Sequence, residues 1–349
     1  MNIPTYQNVH NYFKLNGAHL TKDDLCTVAY SFIKEGEQYE KYIGDFILNW
    51  FDEKSFIELN TSGTTGDPKL IQIDKQAMVH SALATGNFFD LGPGDKALHC
   101  LPTQYIAGKM MFVRAFILGL ELDLVAPSSN PLENNETEYK FCAMVPLQAQ
   151  NSLKELDAIK ILIIGGAKVN DSLQQQLMNL PKTAVYETYA MTETITHIAV
   201  KKIGVEAFDL LPHVTIAQDE RGCLVIDAPT IASEKVVTND LVEILNDHQF
   251  IWLGRFDNVI NSGGIKLIPE KIEEKLQGKI NARFFVVGKQ DHTLGEKLVL
   301  VIEGTEFPID HAIFSDLGKY EQPKEILFSP KFQETESGKL QRKKTLDSL

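Results

Sequence analysis

The segment Ser55-Phe-Ile-Glu-Leu59 has the alternating character of a strand. It runs straight into Thr-Ser-Gly-Thr-Thr-Gly-Asp-Pro-Lys at 61–69. Four hydroxyls, two glycines and a lysine fall within these nine residues. Glycine permits positive φ and close backbone approach, so successive N–H groups can point at one anion. The hydroxyls add donors and Lys69 adds a full charge. A glycine- and threonine-rich turn is by itself only a turn. A lysine that closes such a run after a strand favours phosphate binding. The spacing is not that of the usual P-loop, G-x-x-x-x-G-K-[ST], because Leu70 follows Lys69.

The rest of the chain alternates in the same way. Residues 21–51 read as helical, opened by a capping box at Thr21-Lys-Asp-Asp24. A helix over 75–89 is expected directly after the phosphate loop, its N-terminus offering further donors to an anion. Short apolar strands at 98–101, 121–125 and 159–164 are separated by helical stretches near 105–119 and 170–180. This alternation predicts an α/β fold, with a mostly parallel sheet under covering helices. After residue 222 the pattern changes to short strands at 224–227, 250–252, 284–287 and 298–302, with helices near 269–277 and 308–319. The expected organisation is a larger N-terminal domain over 1–255 and a small α+β C-terminal domain over 256–349. The boundary falls within Gly254 to Asn258. A length of 349 residues is consistent with two domains.

A net charge of −13 leaves no basic excess to neutralise nucleic-acid phosphates and argues against binding an anionic lipid surface. Cys26, Cys100, Cys142 and Cys223 are far apart in sequence and form no C-x-x-C pair, so reduced thiols of a cytoplasmic protein are expected. The N-terminus reads as polar without a signal peptide, and no apolar run is long enough to span a bilayer.

Further segments resemble, in order, the motifs of the adenylate-forming superfamily: acyl-CoA synthetases, firefly luciferase and the adenylation domains of peptide synthetases. The 61–69 run is similar to the family's phosphate-binding signature, and Thr188-Tyr-Ala-Met-Thr-Glu-Thr194 to its Tyr-Gly-x-Thr-Glu segment. Thr238-Asn-Asp240 stands where the family has Thr-Gly-Asp. Gly254-Arg-Phe-Asp-Asn258, Asn261-Ser-Gly-Gly264 and Ile268-Pro-Glu270 resemble the hinge region, and Thr335-Glu-Ser-Gly-Lys339 the C-terminal lysine motif.

The resemblance implies that a carboxylate is joined to AMP with release of pyrophosphate, after which the acyl group passes to the thiol of CoA, a co-substrate beside ATP. Thr61, Ser62, Gly63, Thr64, Thr65, Gly66 and Lys69 would hold the β- and γ-phosphates. Thr192 would lie near the α-phosphate, and Glu193 would ligate Mg2+; a surface glutamate at a helix start is the plain alternative. Tyr189 would stack on adenine, or fill the core. Gly165, Gly166 and Ala167, after a strand, suit a backbone shelf for the nucleotide or acyl group, or a simple turn. Asp240 would accept both ribose hydroxyls, since a carboxylate only accepts. Arg255 would reach ribose or phosphate. Asp257 would be the hinge, rotation bringing in either Lys339, bridging carboxylate and α-phosphate, or Gly263 and Gly264 beside the thiol. Ala190, Asn239 and Leu70 replace glycines of the family pattern.

Pro102-Thr-Gln-Tyr105-Ile-Ala-Gly108, followed by Arg114, resembles a segment of the 2-succinylbenzoate–CoA ligases of menaquinone synthesis, with Tyr105 in place of a histidine. Arg114 would pair with the second carboxylate of that dianion, or else face solvent. The expected partners are a small carboxylic acid, ATP and CoA, with a homo-oligomer left open. The rivals are a ligase for another aryl or short acyl acid, an enzyme loading a carrier protein, a P-loop-like NTPase and a non-catalytic nucleotide-binding relative.

Overall fold

The computed structural model describes residues 3–61, 69–335 and 340–349. Its largest sheet has two characters. Strands Glu121–Leu124, Lys96–His99, Tyr139–Met144, Ile159–Ile164 and Ala184–Ala190 lie side by side in that order, all parallel. Ile159-Lys-Ile-Leu-Ile-Ile164 is nearly continuously apolar, as a strand covered on both faces must be. At Ala184–Ala190 the pairing changes. His197–Lys202 runs antiparallel to it, and the sheet continues antiparallel through Ala207–Leu210, Gln249–Arg255, Val236–Asn246, Cys223–Asp227 and Thr215–Gln218.

Helices Lys22–Glu35 and Gln38–Phe51 pair as a hairpin broken at Gly36, where 21–51 read as one helical stretch in sequence. Thr21 and Asp24 do form the reciprocal capping box. Helices Lys75–Phe89 and Ile106–Leu118 cover the sheet, and Phe112 and Phe116 of the second interlock with Phe46 and Trp50 of Gln38–Phe51, ring centroids 5.9 Å apart at each contact. Two expectations are corrected. The helix Lys75–Phe89 does not directly follow the phosphate loop. A strand, Lys69–Asp74, intervenes and pairs antiparallel with Phe56–Thr61, Thr61 opposite Lys69. The helix is capped by its own Asp74, whose side chain accepts from Ala77 N at 2.8 Å, so its N-terminus is occupied. Residues 308–319 hold a single 3-10 turn, His311–Phe314, where a helix was expected.

Ile260–Ser262, Ile265–Leu267, Phe284–Asp291, Gly295–Glu303 and Glu325–Ser329 build a second sheet. Helix Pro269–Leu276 packs on it, around a separate core of Ile260, Ile272, Leu276, Leu298 and Leu300. Cys100 and Cys142, distant in sequence, come within 3.8 Å between sulfurs and remain free thiols.

Candidate active site

Ligand crevices in open α/β sheets form outside the carboxyl ends of the strands. Strand Ile159–Ile164 ends in Gly165-Gly166-Ala167, with Gly166 at φ +86°. A Cβ at Gly165 would lie 2.6 Å from the Thr188 hydroxyl, which donates to Ile164 O at 3.2 Å. Glycine is therefore required by the close approach of the neighbouring strand, whose next residue is Tyr189.

The Tyr189 ring is pinned edge-on between Phe208 and Phe250, at centroid distances of 5.8 and 5.3 Å. Its hydroxyl donates to Asp240 Oδ2 at 2.7 Å. Burial, with the Asp240 charge, pushes the phenol well above its ordinary range, so it remains a donor. The indole of Trp252, which sequence reasoning missed, donates to Asp240 Oδ1 at 3.1 Å. Asp240 and Arg255 face each other in register on paired strands, with Arg255 Nη1 3.7 Å from Asp240 Oδ1. Each carboxylate oxygen keeps capacity for a further donor. Tyr189, Asp240 and Arg255 thus form one continuous polar unit.

Thr192 and Glu193 are exposed on the 3-10 turn Thr192–Thr194. Ile195 follows at φ +66°, ψ −56°, and Thr196 N donates to Thr194 O at 2.6 Å. That is a γ-turn of the rarer, strained hand, centred on a β-branched residue. No sequence signal marks it. Beyond it, buried His197 lies with its ring nitrogens 3.3 Å from the hydroxyls of Thr85 and Thr196. Burial, followed by the nearby Arg114 charge, holds His197 well below its ordinary value. Among the described residues no group of three or more acidic, histidine or cysteine side chains could cage a metal. A lone accessible carboxylate such as Glu193 still suits magnesium, which is commonly held by one or two carboxylates together with substrate phosphates.

Arg114 does not face solvent. It lies 2% exposed on helix Ile106–Leu118. Its guanidinium sits 6.0 Å from the Phe141 ring centroid, its Nη1 lies 3.8 Å from Met111 Sδ, and its Nε has no partner among the described residues. Burial pulls it down to about 9, which leaves it charged at neutral pH. Tyr105 is exposed at the start of the helix, nine residues away, about 14 Å along the axis, so the two do not meet. Gly108 has a packing reason: a Cβ there would lie 2.4 Å from Pro102 O. Asp257 is exposed and accepts from Arg255 Nη2 at 2.9 Å and Asn239 Nδ2 at 3.4 Å. Gly263 and Gly264, at φ +57° and +83°, turn the chain between two strands of the second sheet. Ser62, Gly63, Thr64, Thr65, Gly66 and Lys339 lie outside the described residues, and the side chains of Thr61 and Lys69 are likewise not described.

The sheet that is parallel on one side of Ala184–Ala190 and antiparallel on the other thus carries Tyr189, Asp240 and Arg255, and a second sheet follows Asp257 in the chain. Residues 59–230 match the AMP-binding enzyme family. An acyl-CoA synthetase (AMP-forming)/AMP-acid ligase II-like protein from Dyadobacter fermentans is 37% identical, over 92% of this chain and 97% of that one, with a TM-score of 0.63. A 2-succinylbenzoate–CoA ligase from Bacillus cytotoxicus is 26% identical over 81% of this chain and 68% of its own length. A D-alanine–D-alanyl carrier protein ligase from Bacillus mycoides is 24% identical over 85% and 71%. The o-succinylbenzoate coenzyme A synthetase of Bacillus subtilis, solved with ATP and magnesium ion, shares the fold at TM-score 0.71 and 21% identity, over 83% of this chain and 69% of that one. The chain belongs to the AMP-binding enzyme family of AMP-forming acid ligases.

Proposed function

We propose that the protein activates 2-succinylbenzoate with ATP and transfers the acyl group to CoA. The observation that carries this reading is Arg114. Among the described residues Arg114 has no counter-anion, a buried cation left so costs several kcal/mol, and the second carboxylate of a dicarboxylic acid would recover that cost through Nε and its neighbours. The 2-succinylbenzoate–CoA ligase among its relatives supports the same choice. The carrier-protein relatives support a second reading, loading of an amino acid. D-alanine, however, would bring an ammonium group, and a buried guanidinium repels it.

In the chemistry proposed, a carboxylate oxygen attacks the α-phosphorus of ATP, the P–O bond to pyrophosphate breaks, and an acyl-adenylate forms. The CoA sulfur then attacks the acyl carbon, its proton is lost to solvent, and AMP leaves. Asp240 and Arg255 would seat the ribose, Tyr189 would border the adenine, and Gly165 to Ala167 would form the shelf beside it. Thr192 would sit at the α-phosphate, and Thr61 to Gly66 with Lys69 at the outer phosphates. A magnesium ion at Glu193 would offset phosphate charge. Lys339 would serve the first step and the Gly263-Gly264 turn the second, exchanged by rotation at Asp257 between units 1–255 and 256–349. A pyrophosphate-release assay with ATP, magnesium and CoA across a panel of acids tests the substrate. 2-Succinylbenzoate is expected to exceed benzoate, hexanoate and D-alanine by at least about a hundredfold in kcat/KM, the scale of one charge-assisted pairing. A monocarboxylate or D-alanine that matched it would remove the assignment.

A further inference from the structure

Arg221, in the turn between Thr215–Gln218 and Cys223–Asp227, uses every nitrogen of its guanidinium. Nε and Nη2 contact Asp219 Oδ2 at 2.8 and 2.7 Å. Nη1 donates to Asn239 Oδ1 at 2.8 Å and Nη2 to Thr238 O at 3.0 Å. Its guanidinium carbon lies 5.1 Å from the centre of the Phe256 ring. An exposed ion pair with Asp219 alone would contribute little. The planar fork instead joins three separate segments: its own turn, the Thr238-Asn239 segment that leads into Asp240, and Phe256. All three belong to the large sheet or its immediate extension.

On the other side of Asp257 the partners change. Asn258 Nδ2 donates to Glu270 Oε1 at 2.5 Å. Glu270 is 8% exposed on helix Pro269–Leu276, which packs on the second sheet and also lies against strand Gln249–Arg255 of the large one. Arg342 Nη2 lies 3.7 Å from Glu270 and 2.9 Å from Glu273, and Arg342 Nη1 donates to Val286 O at 2.9 Å. The remaining oxygen, Glu270 Oε2, faces Gly254 and makes no hydrogen bond among the described residues. Polar contacts therefore tie Asn258 to the second sheet. Asp257, between the two anchored residues, is exposed within the 3-10 turn Phe256–Asn258, which Val259 N closes on Phe256 O at 3.2 Å, and its side chain accepts from Arg255 and Asn239.

We propose that Arg221 and Glu270 are positioning residues that clamp Phe256 and Asn258 to opposite halves of the molecule, confining rotation to the one residue between them. The proposal rests on the reading of Asp257 as the hinge. A pivot one residue wide preserves the geometry of Asp240 and Arg255 on one side and of the Arg342 helix on the other. A pivot spread over 254–258 would move the ribose site whenever the small half turned.

Trypsin cleavage after Arg255, followed as the 1–255 and 256–349 fragments by mass spectrometry, reads the anchoring directly. The Arg221→Ala protein is expected to be cut there about tenfold faster than the parent, since local opening sets such rates. With kcat and KM measured for each half-reaction, kcat of both should fall about tenfold while KM for the acid stays within about twofold, as for lost alignment and not lost binding. Arg221→Gln, which keeps a polar side chain but loses the fork and the stacking, should move both readouts the same way and serves if the alanine variant does not fold. Unchanged cleavage at Arg255 would overturn the clamp whatever Asp257 does. Faster cleavage with both half-reactions at parental kcat would overturn its link to rotation. If Asp257→Pro left both half-reactions intact while Arg221→Ala was still cut faster, the hinge reading would fall, and the rotational part of the proposal with it.

Discussion

Lys339→Ala is expected to lower acyl-adenylate formation by about two to three orders of magnitude, the usual loss when one group stabilising developing charge is removed. Thioester formation from supplied acyl-adenylate should change by less than about threefold, because the charge is required where two anions meet and not where a thiolate attacks a neutral acyl carbon. The attacking carboxylate and the α-phosphate repel each other, and a cation placed between them must be strongest in the transition state. Single-turnover measurement of each half-reaction checks this. Equal loss in both would assign Lys339 to binding or folding instead.

The second large effect concerns Arg114. Its replacement by leucine is expected to cost about 2–5 kcal/mol in kcat/KM on 2-succinylbenzoate, from leaving a buried carboxylate unpaired. A monocarboxylic test acid should lose far less. The apo protein should be no less stable, and up to about 3 kcal/mol more stable, because a buried cation is exchanged for an apolar side chain among Met111 and Phe141. Opposite effects on stability and on dianion activity would separate a substrate-binding arginine from a structural one. Thermal denaturation alongside the kinetics reads both, and a large loss of stability with parallel losses on both acids would mean that Arg114 holds the fold.

Much of the architecture was legible because burial writes itself into the chain. Strand Ile159–Ile164 lies under covering helices and is almost purely apolar, and the helix Ile106–Leu118 is apolar on nearly every side because it is buried. Strand Ala184–Ala190 was not read as a strand. Glu187, Thr188 and Tyr189 are spent on the site edge and break its periodicity. Strand Lys69–Asp74 was hidden for another reason: Ile71 and Ile73 alternate as in a strand, but the phosphate signature beside them invited a helix. The ordered motifs located Asp240, Arg255 and Tyr189, yet the bonds among them came from pairing register, which one sequence does not display. Trp252 and His197 carry no local signal at all. Their roles arise from residues far along the chain, Asp240 for one and Thr85 for the other.

The central claim is that this chain makes an acyl-adenylate. The most direct measurement incubates the protein with ATP, magnesium and 2-succinylbenzoate without CoA, and analyses the products by mass spectrometry before and after CoA is added. The account predicts the acyl-adenylate and pyrophosphate first, then AMP and the acyl-CoA once the thiol is present. ADP and inorganic phosphate, with no adenylate before CoA, would contradict it.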